Sequence, residues 1–292
     1  MARRRRVTVL LAAATLIAAA VVVLRPRAAA GPPPDDADAP RAALATAHFA
    51  IDAHGLDPAR AAALGAYLEA HRARVLADLD VRAMPAVRVV VQSHADFTRD
   101  WGARVGAAGL RFQPKGLTAG GAVYVYGPWA AGSDAGELHR VVLHEFAHLA
   151  AARTVAEHLA RAGGDTAAHR AAAEASATGQ HARWLSESVA LHAAGQATDV
   201  NTLGYMLRGK YPTLAELDDP TSGRVYEVGY RVAEFVVATW GRERLVALLR
   251  ADGDVSRVLG LTDAEFSRRW YDWVEDRYLI VKPRWFGRTA TR

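Results

Sequence analysis

Residues 141–150 read VVLHEFAHLA, with His144 and His148 four places apart and Glu145 beside the first, inside an apolar run. On a helix, residues i and i+4 share a face, so the two imidazoles can offer nitrogens to one cation. Glu145 is turned one step around from that row. From there its carboxylate reaches a water beside the ion without ligating, and takes the water's proton as general base. A catalytic zinc needs a third protein ligand and a fourth position left for water. Other acids and histidines compete for attention. Glu174 sits in AAAEASA, which lacks the apolar helix face that would hold it rigidly; His139 falls on the opposite side of the helix from His144. The opposing reading is a chance HExxH in a purely structural helix that holds no metal.

Downstream, RWLSESVALHAA (183–194) places Glu187 on an amphipathic helix, 39 residues after His148. HExxH followed by WLxE resembles the gluzincins, the zinc metallopeptidases related to thermolysin and the large aminopeptidases. The likeness is greatest to the small bacterial peptidase-MA-like domains. The resemblance implies that Glu187 is the third zinc ligand beside His144 and His148, with Glu145 as catalytic base. The metzincin branch does not fit, since Ala151 and Thr154 stand where it needs glycine and histidine.

The resemblance extends over most of residues 45–280. HFAID and AVRVVVQSHADF resemble the family's early strands. GGAVYVYG resembles the edge strand that borders the substrate cleft, where an extended peptide adds main-chain hydrogen bonds. VYEVGYRVAEFVVATWGRERLVALL is similar to the helix pair beyond the third ligand, and AEFSRRWYDWV to the closing helix. In the aminopeptidase branch a tyrosine in a YExG setting stabilises the oxyanion. The matching residue is Tyr226 in YEVG, with Tyr230 one turn along in reserve. Three places depart from the pattern. Ser188 replaces the glycine after the third ligand, and no proline precedes Trp184. Leu191 stands where thermolysin-like enzymes carry an aspartate that orients a ligand. Orientation of the histidines must therefore rest on another group, and His192, five places after Glu187, is one candidate. The GxMEN signature that captures a free amino terminus is also missing, which leaves endopeptidase action as the expectation.

These residues need elements to position them. HFAID (48–52) alternates as a short strand does, and an amphipathic helix follows over about 57–79. AVRVVVQ (86–92) is a β-branched strand bounded by Pro85, and Asp96 caps a short helix ending near Trp101. GGAVYVYGP (120–128) is a strand bracketed by glycines and Pro128. From Ala135 the pattern is helical almost throughout, over about 136–161, 167–180, 184–194, 225–240, 242–250 and 262–279, with a helical turn in PTLAEL (212–217). Strands early and helices late predict an α+β fold with a small mixed sheet and a helical C-terminal half. The resemblance adds that this fold is zincin-like. The aromatic residues of RRWYDWVEDRYLIVKPRW, at near-helical spacing, read as core.

The chain has 292 residues, half of them apolar (51%), and no cysteine, which excludes disulfide scaffolds and thiolate chemistry. Its net charge of +5 is concentrated at one end. Residues 1–30 hold six arginines and no acid, leaving 30 Lys+Arg against 31 Asp+Glu over 31–292. A folded part with no basic excess argues against nucleic-acid binding. Four arginines followed by 18 uncharged, mostly apolar residues (Val7–Leu24) predict an N-terminal membrane anchor, with a cleaved signal peptide as the alternative. The heavier arginine load at the amino end keeps that end in the cytoplasm and sends the remainder outward. GPPPDDADAP (31–40) is a Pro- and Asp-rich linker, and 41–292 is the gluzincin-like metallopeptidase domain. No GxSxG, P-loop or Rossmann glycine pattern is found. The expectation is an extracytoplasmic zinc metallopeptidase acting on peptides or proteins. The alternative is a zinc-containing, non-catalytic domain that binds a cell-envelope partner.

Overall fold

Period-two alternation builds the sheet. Phe49, Ile51 and Ala53 point inward while Ala50 and Asp52 are exposed, and Val87, Val89 and Val91 repeat the pattern one strand over. In the computed structural model, which describes residues 41–107, 114–127, 135–163 and 182–283, five strands form one mixed sheet. They are β1 (Arg41–Ala45), β2 (Phe49–His54), β3 (Val87–Gln92), β4 (Gly116–Ala119) and β5 (Ala122–Tyr126), in the order β1-β2-β3-β5-β4. The three central strands run parallel, and the outer two pair antiparallel with their neighbours.

This order corrects one expectation. The stretch GGAVYVYG is not the sheet edge: β5 is flanked on both sides, and the edge is β4, whose GLTA sequence lacks the β-branched run that marks a strand. Gly120 and Gly121, both at positive φ, make the two-residue turn between them. The short strand β1 was likewise not expected, because RAALA reads as helix former until the pairing with β2 is known.

Nine helices are found among the described residues. The first is α1 (Pro58–Asp78), started by Asp57, whose side chain accepts from the Arg60 N–H, and by Pro58 in the first turn. Then come α2 (His94–Ala107) and α3 (Ala135–Gly163). The helical half holds α4 (Arg183–Ala193), α5 (Leu214–Asp218), α6 (Arg224–Trp240), α7 (Arg242–Arg250), α8 (Val255–Leu259) and α9 (Asp263–Arg277). Capping boxes at Thr213 and Thr262 start α5 and α9. The sheet's apolar face is covered by α1 and α3. Phe146 of α3 meets Phe49 edge-on at 5.3 Å, and His139 stacks on Tyr67 of α1 at 4.9 Å. On the other face Trp101 of α2 lies against Tyr124, with centroids 4.6 Å apart.

The fold is therefore α+β, with a small mixed sheet and a mostly helical remainder. Within the helical half, α6 presents Val225, Val228, Val232 and Val236 as one apolar stripe to its neighbours. Gly229 in that stripe lets α4 approach closely: a Cβ there would stand 3.0 Å from Ser188 Oγ and 2.9 Å from Leu191. The small residue at this contact is thus on α6, opposite Ser188. Trp270 and Tyr271 of α9 are fully buried, as expected of core aromatics. The expected helix over 167–180, Glu174, the N-terminal segment and the tail beyond Pro283 lie outside the described residues. No helix among the described residues is long and apolar enough to cross a membrane.

Candidate metal centre

The site lies in the floor of a cleft of about 1390 Å³, between α3, β4, α4 and α6. Its first component is α3. The helix buries Val142, Leu143, Phe146 and Ala147 and turns His144 and His148 toward the cleft. Their Nε2 atoms are 3.1 Å apart. The second component is α4, which carries Glu187. Its Oε2 lies 3.2 Å from His144 Nε2 and 3.6 Å from His148 Nε2. The three side chains are little exposed, at 9%, 15% and 14% for His144, His148 and Glu187.

These distances allow a test of whether an ion fits. Four-coordinate zinc with arms of 2.0–2.1 Å holds its donor atoms roughly 3.3 Å apart. The observed separations of 3.1, 3.2 and 3.6 Å bracket that value. Glu187 Oε2 is buried and accepts no hydrogen bond, although two ring nitrogens face it. An orphaned carboxylate oxygen among imidazole nitrogens is costly in a protein unless a cation completes it. Burial drives the Glu187 pKa upward, yet the two histidines outweigh it and hold the carboxyl well below its usual range. Among the described residues this is one group that could hold a metal ion.

Each imidazole is also held from behind. His144 Nδ1 lies 2.8 Å from Gln196 Oε1, and His148 Nδ1 lies 3.0 Å from Ser186 Oγ. With Nδ1–H donating to these oxygens, both Nε2 lone pairs are left for the cation. Neither Gln196 nor Ser186 was singled out from the sequence. Ser186 directly precedes the ligand, and Gln196 follows the helix-ending glycine of HAAGQ, but no local pattern says where either side chain points. His192, the candidate for this task, faces Tyr230 instead, at 5.2 Å, in a separate hollow beside Asp78 and Arg242.

Glu145 sits on α3 next to His144 and is only 7% exposed, although it lines the cleft. Its pKa is pushed up to about 7, first by burial and then by the charge of Glu187, against a downward pull from His144. Gly116 of β4 covers it so closely that a Cβ would stand 2.8 Å from Glu145 Cγ and 2.9 Å from Oε1. The edge strand thus fixes this carboxylate, a contact that sequence alone did not reveal.

Tyr226 comes from the first turn of α6, lines the same cleft, and donates its hydroxyl to Glu187 Oε1 at 2.9 Å. Burial, followed by the Glu187 charge, raises its pKa well above the usual tyrosine value, so it remains an O–H donor. The Arg183 guanidinium lies over its ring at 5.3 Å. Tyr230, the reserve residue, is turned away toward His192.

The N-terminus of α4 is secured without a cap of its own. Asp218 accepts from the Trp184 N–H at 2.8 Å and Asp252 from the Ala182 N–H at 3.0 Å. Two carboxylates at the positive end of a helix both satisfy orphan donors and favour its dipole. The structure therefore brings His144, His148, Glu187, Glu145 and Tyr226 to one cleft. Comparison with protein-family models, with curated proteins and with solved structures gives no match for this chain.

Proposed function

We propose that this protein is a zinc-dependent metallopeptidase of the gluzincin type, with a zincin-like fold, cleaving peptide bonds as an endopeptidase outside the cytoplasm. Residues 1–30 would hold it at the cell membrane, or direct its secretion if they are cleaved. One observation carries the reading above the rest. Three ligand atoms from His144, His148 and Glu187 converge within 3.6 Å of one another, and a buried, non-ligating carboxylate stands beside them. A site that only stored a metal would have no use for Glu145 there.

A bound zinc ion supplies Lewis acidity toward the peptide carbonyl and makes water a nucleophile near neutral pH. Glu145 removes a proton from the attacking water as the carbon–oxygen bond forms, then delivers it to the leaving nitrogen as the carbon–nitrogen bond breaks. Gly116 and the wall of β4 hold that carboxylate in place for both transfers. Tyr226 gives up its hydrogen bond to Glu187 and donates to the developing oxyanion. β4 is the outer strand of the sheet as ordered here, and its Gly116, Leu117 and Thr118 line the cleft, which is where an extended peptide would lie.

The test is zinc content and cleavage of a broad peptide library, measured on the purified full-length chain and its Glu145→Gln variant. About one zinc per chain is expected in both, with cleavage by the variant reduced about 10²–10⁴-fold. Equal zinc with no cleavage by either protein would favour a non-catalytic domain that binds a cell-envelope partner. Absence of zinc from the wild type would return HEFAH to the status of a structural helix.

A further inference from the structure

We infer that Gln196 is the residue that positions His144, and that its neutral amide tunes how tightly the ion is held. The inference rests on the metal-site reading of His144, His148 and Glu187. The resemblance drawn from the sequence expects an orienting carboxylate at 191, where this chain has Leu191. The structure supplies the missing acceptor from the end of the same helix. Gly195 adopts the left-handed conformation at φ +66, its N–H bonds the His192 carbonyl at 3.2 Å, and the Gln196 N–H bonds the Leu191 carbonyl at 2.9 Å. This pair of bonds is the glycine-terminated helix ending that turns the chain back on itself. It ties the backbone of Gln196 to that of Leu191, and from there the side-chain oxygen reaches His144 Nδ1 at 2.8 Å.

An amide oxygen can only accept, so the proton of His144 is fixed on Nδ1 and the Nε2 lone pair faces His148 and Glu187. The reverse amide orientation would place an Nε2–H against His148 Nε2, 3.1 Å away, and close the site to a cation. Neutrality of the acceptor matters as well. Glu145 and Glu187 already bring two acidic side chains to this little-exposed place. A third carboxylate behind His144 would make the imidazole more basic and the ion more tightly held, at the expense of the ion's electron-withdrawing power. Gln196 secures the orientation without that charge.

The experiment is zinc affinity of the full-length chain, measured by competition with a chromophoric chelator, with zinc alone as the probe. Gln196→Ala is expected to weaken zinc binding about 10–100-fold. Gln196→Glu, nearly isosteric and still an acceptor, is expected to match or exceed the wild type. Gly195→Ala disturbs the turn that presents Gln196, so it should weaken zinc binding alone yet add little in a Gln196→Ala background. Wild-type affinity in Gln196→Ala, or a Gln196→Glu variant as weak as Gln196→Ala, would overturn the assignment while leaving the metal site intact. A wild-type chain that binds no zinc would overturn both.

Discussion

Tyr226 bears two relations at once: its hydroxyl is bonded to a candidate ligand, and its ring lies under the Arg183 guanidinium. A phenol so placed can steady Glu187 or serve the oxyanion, and the two tasks separate on substitution. Tyr226→Phe removes only the hydroxyl. If it serves the oxyanion, cleavage should fall about 10²–10³-fold in kcat with zinc content unchanged. If it only steadies Glu187, zinc affinity should fall and kcat at saturating zinc should hold. His148→Ala goes further, because it removes one of three donors and leaves Glu187 buried with one imidazole; stoichiometric zinc should be lost. Metal analysis of the purified variant checks it.

At the scale of elements, β4 and α4 matter most. β4 is four residues long, yet it closes the sheet and presses Gly116 onto Glu145. Gly116→Ala forces a methyl against Glu145 and against Val125, 2.9 Å away, an overpacking that costs about 1–3 kcal/mol. The expected result is a lower unfolding midpoint and slower cleavage with zinc still bound, read by thermal melting beside the peptide assay. β4 shows where sequence patterns stop. The extents of α1, α3, α4, α6 and α7 follow from apolar periodicity, and so were legible to within a few residues. The strand at 116–119 was not, because Thr118 is the one residue of GLTA that favours a strand and only the pairing with β5 makes the four one. His144, Glu145, His148 and Glu187 could be named from spacing and resemblance. Ser186, Gln196 and Gly116 could not, since the helix turns and the chain reversal that aim them are set by tertiary contacts.

Over the whole molecule, one polar cluster away from the cleft contributes to acid behaviour. Glu69 of α1 accepts from the Thr46 hydroxyl at 2.6 Å and the His48 N–H at 2.8 Å, and its other oxygen lies 2.8 Å from His48 Nδ1. Burial alone would raise its pKa, but these bonds outweigh it and bring it to about 2 from 4.5. A carboxyl with a depressed folded-state pKa stabilises the fold above its unfolded value. That stabilisation fades as pH falls from about 4.5 toward about 2. Glu69→Gln should cost on the order of 1 kcal/mol at neutral pH and flatten the loss across that acidic window. Denaturant unfolding at a series of pH values measures it.

The two histidines and the glutamate sit on separate helices, α3 and α4, 39 positions apart in the chain. A single cation bridging them would act as a clasp between the half of the protein that carries the sheet and the half that is all helix. Zinc at 100 times its dissociation constant should then add about 2.7 kcal/mol to unfolding, and a chelator should remove that increment. Melting point would rise and fall with free zinc, so an ion held at this centre would also help to keep the chain folded.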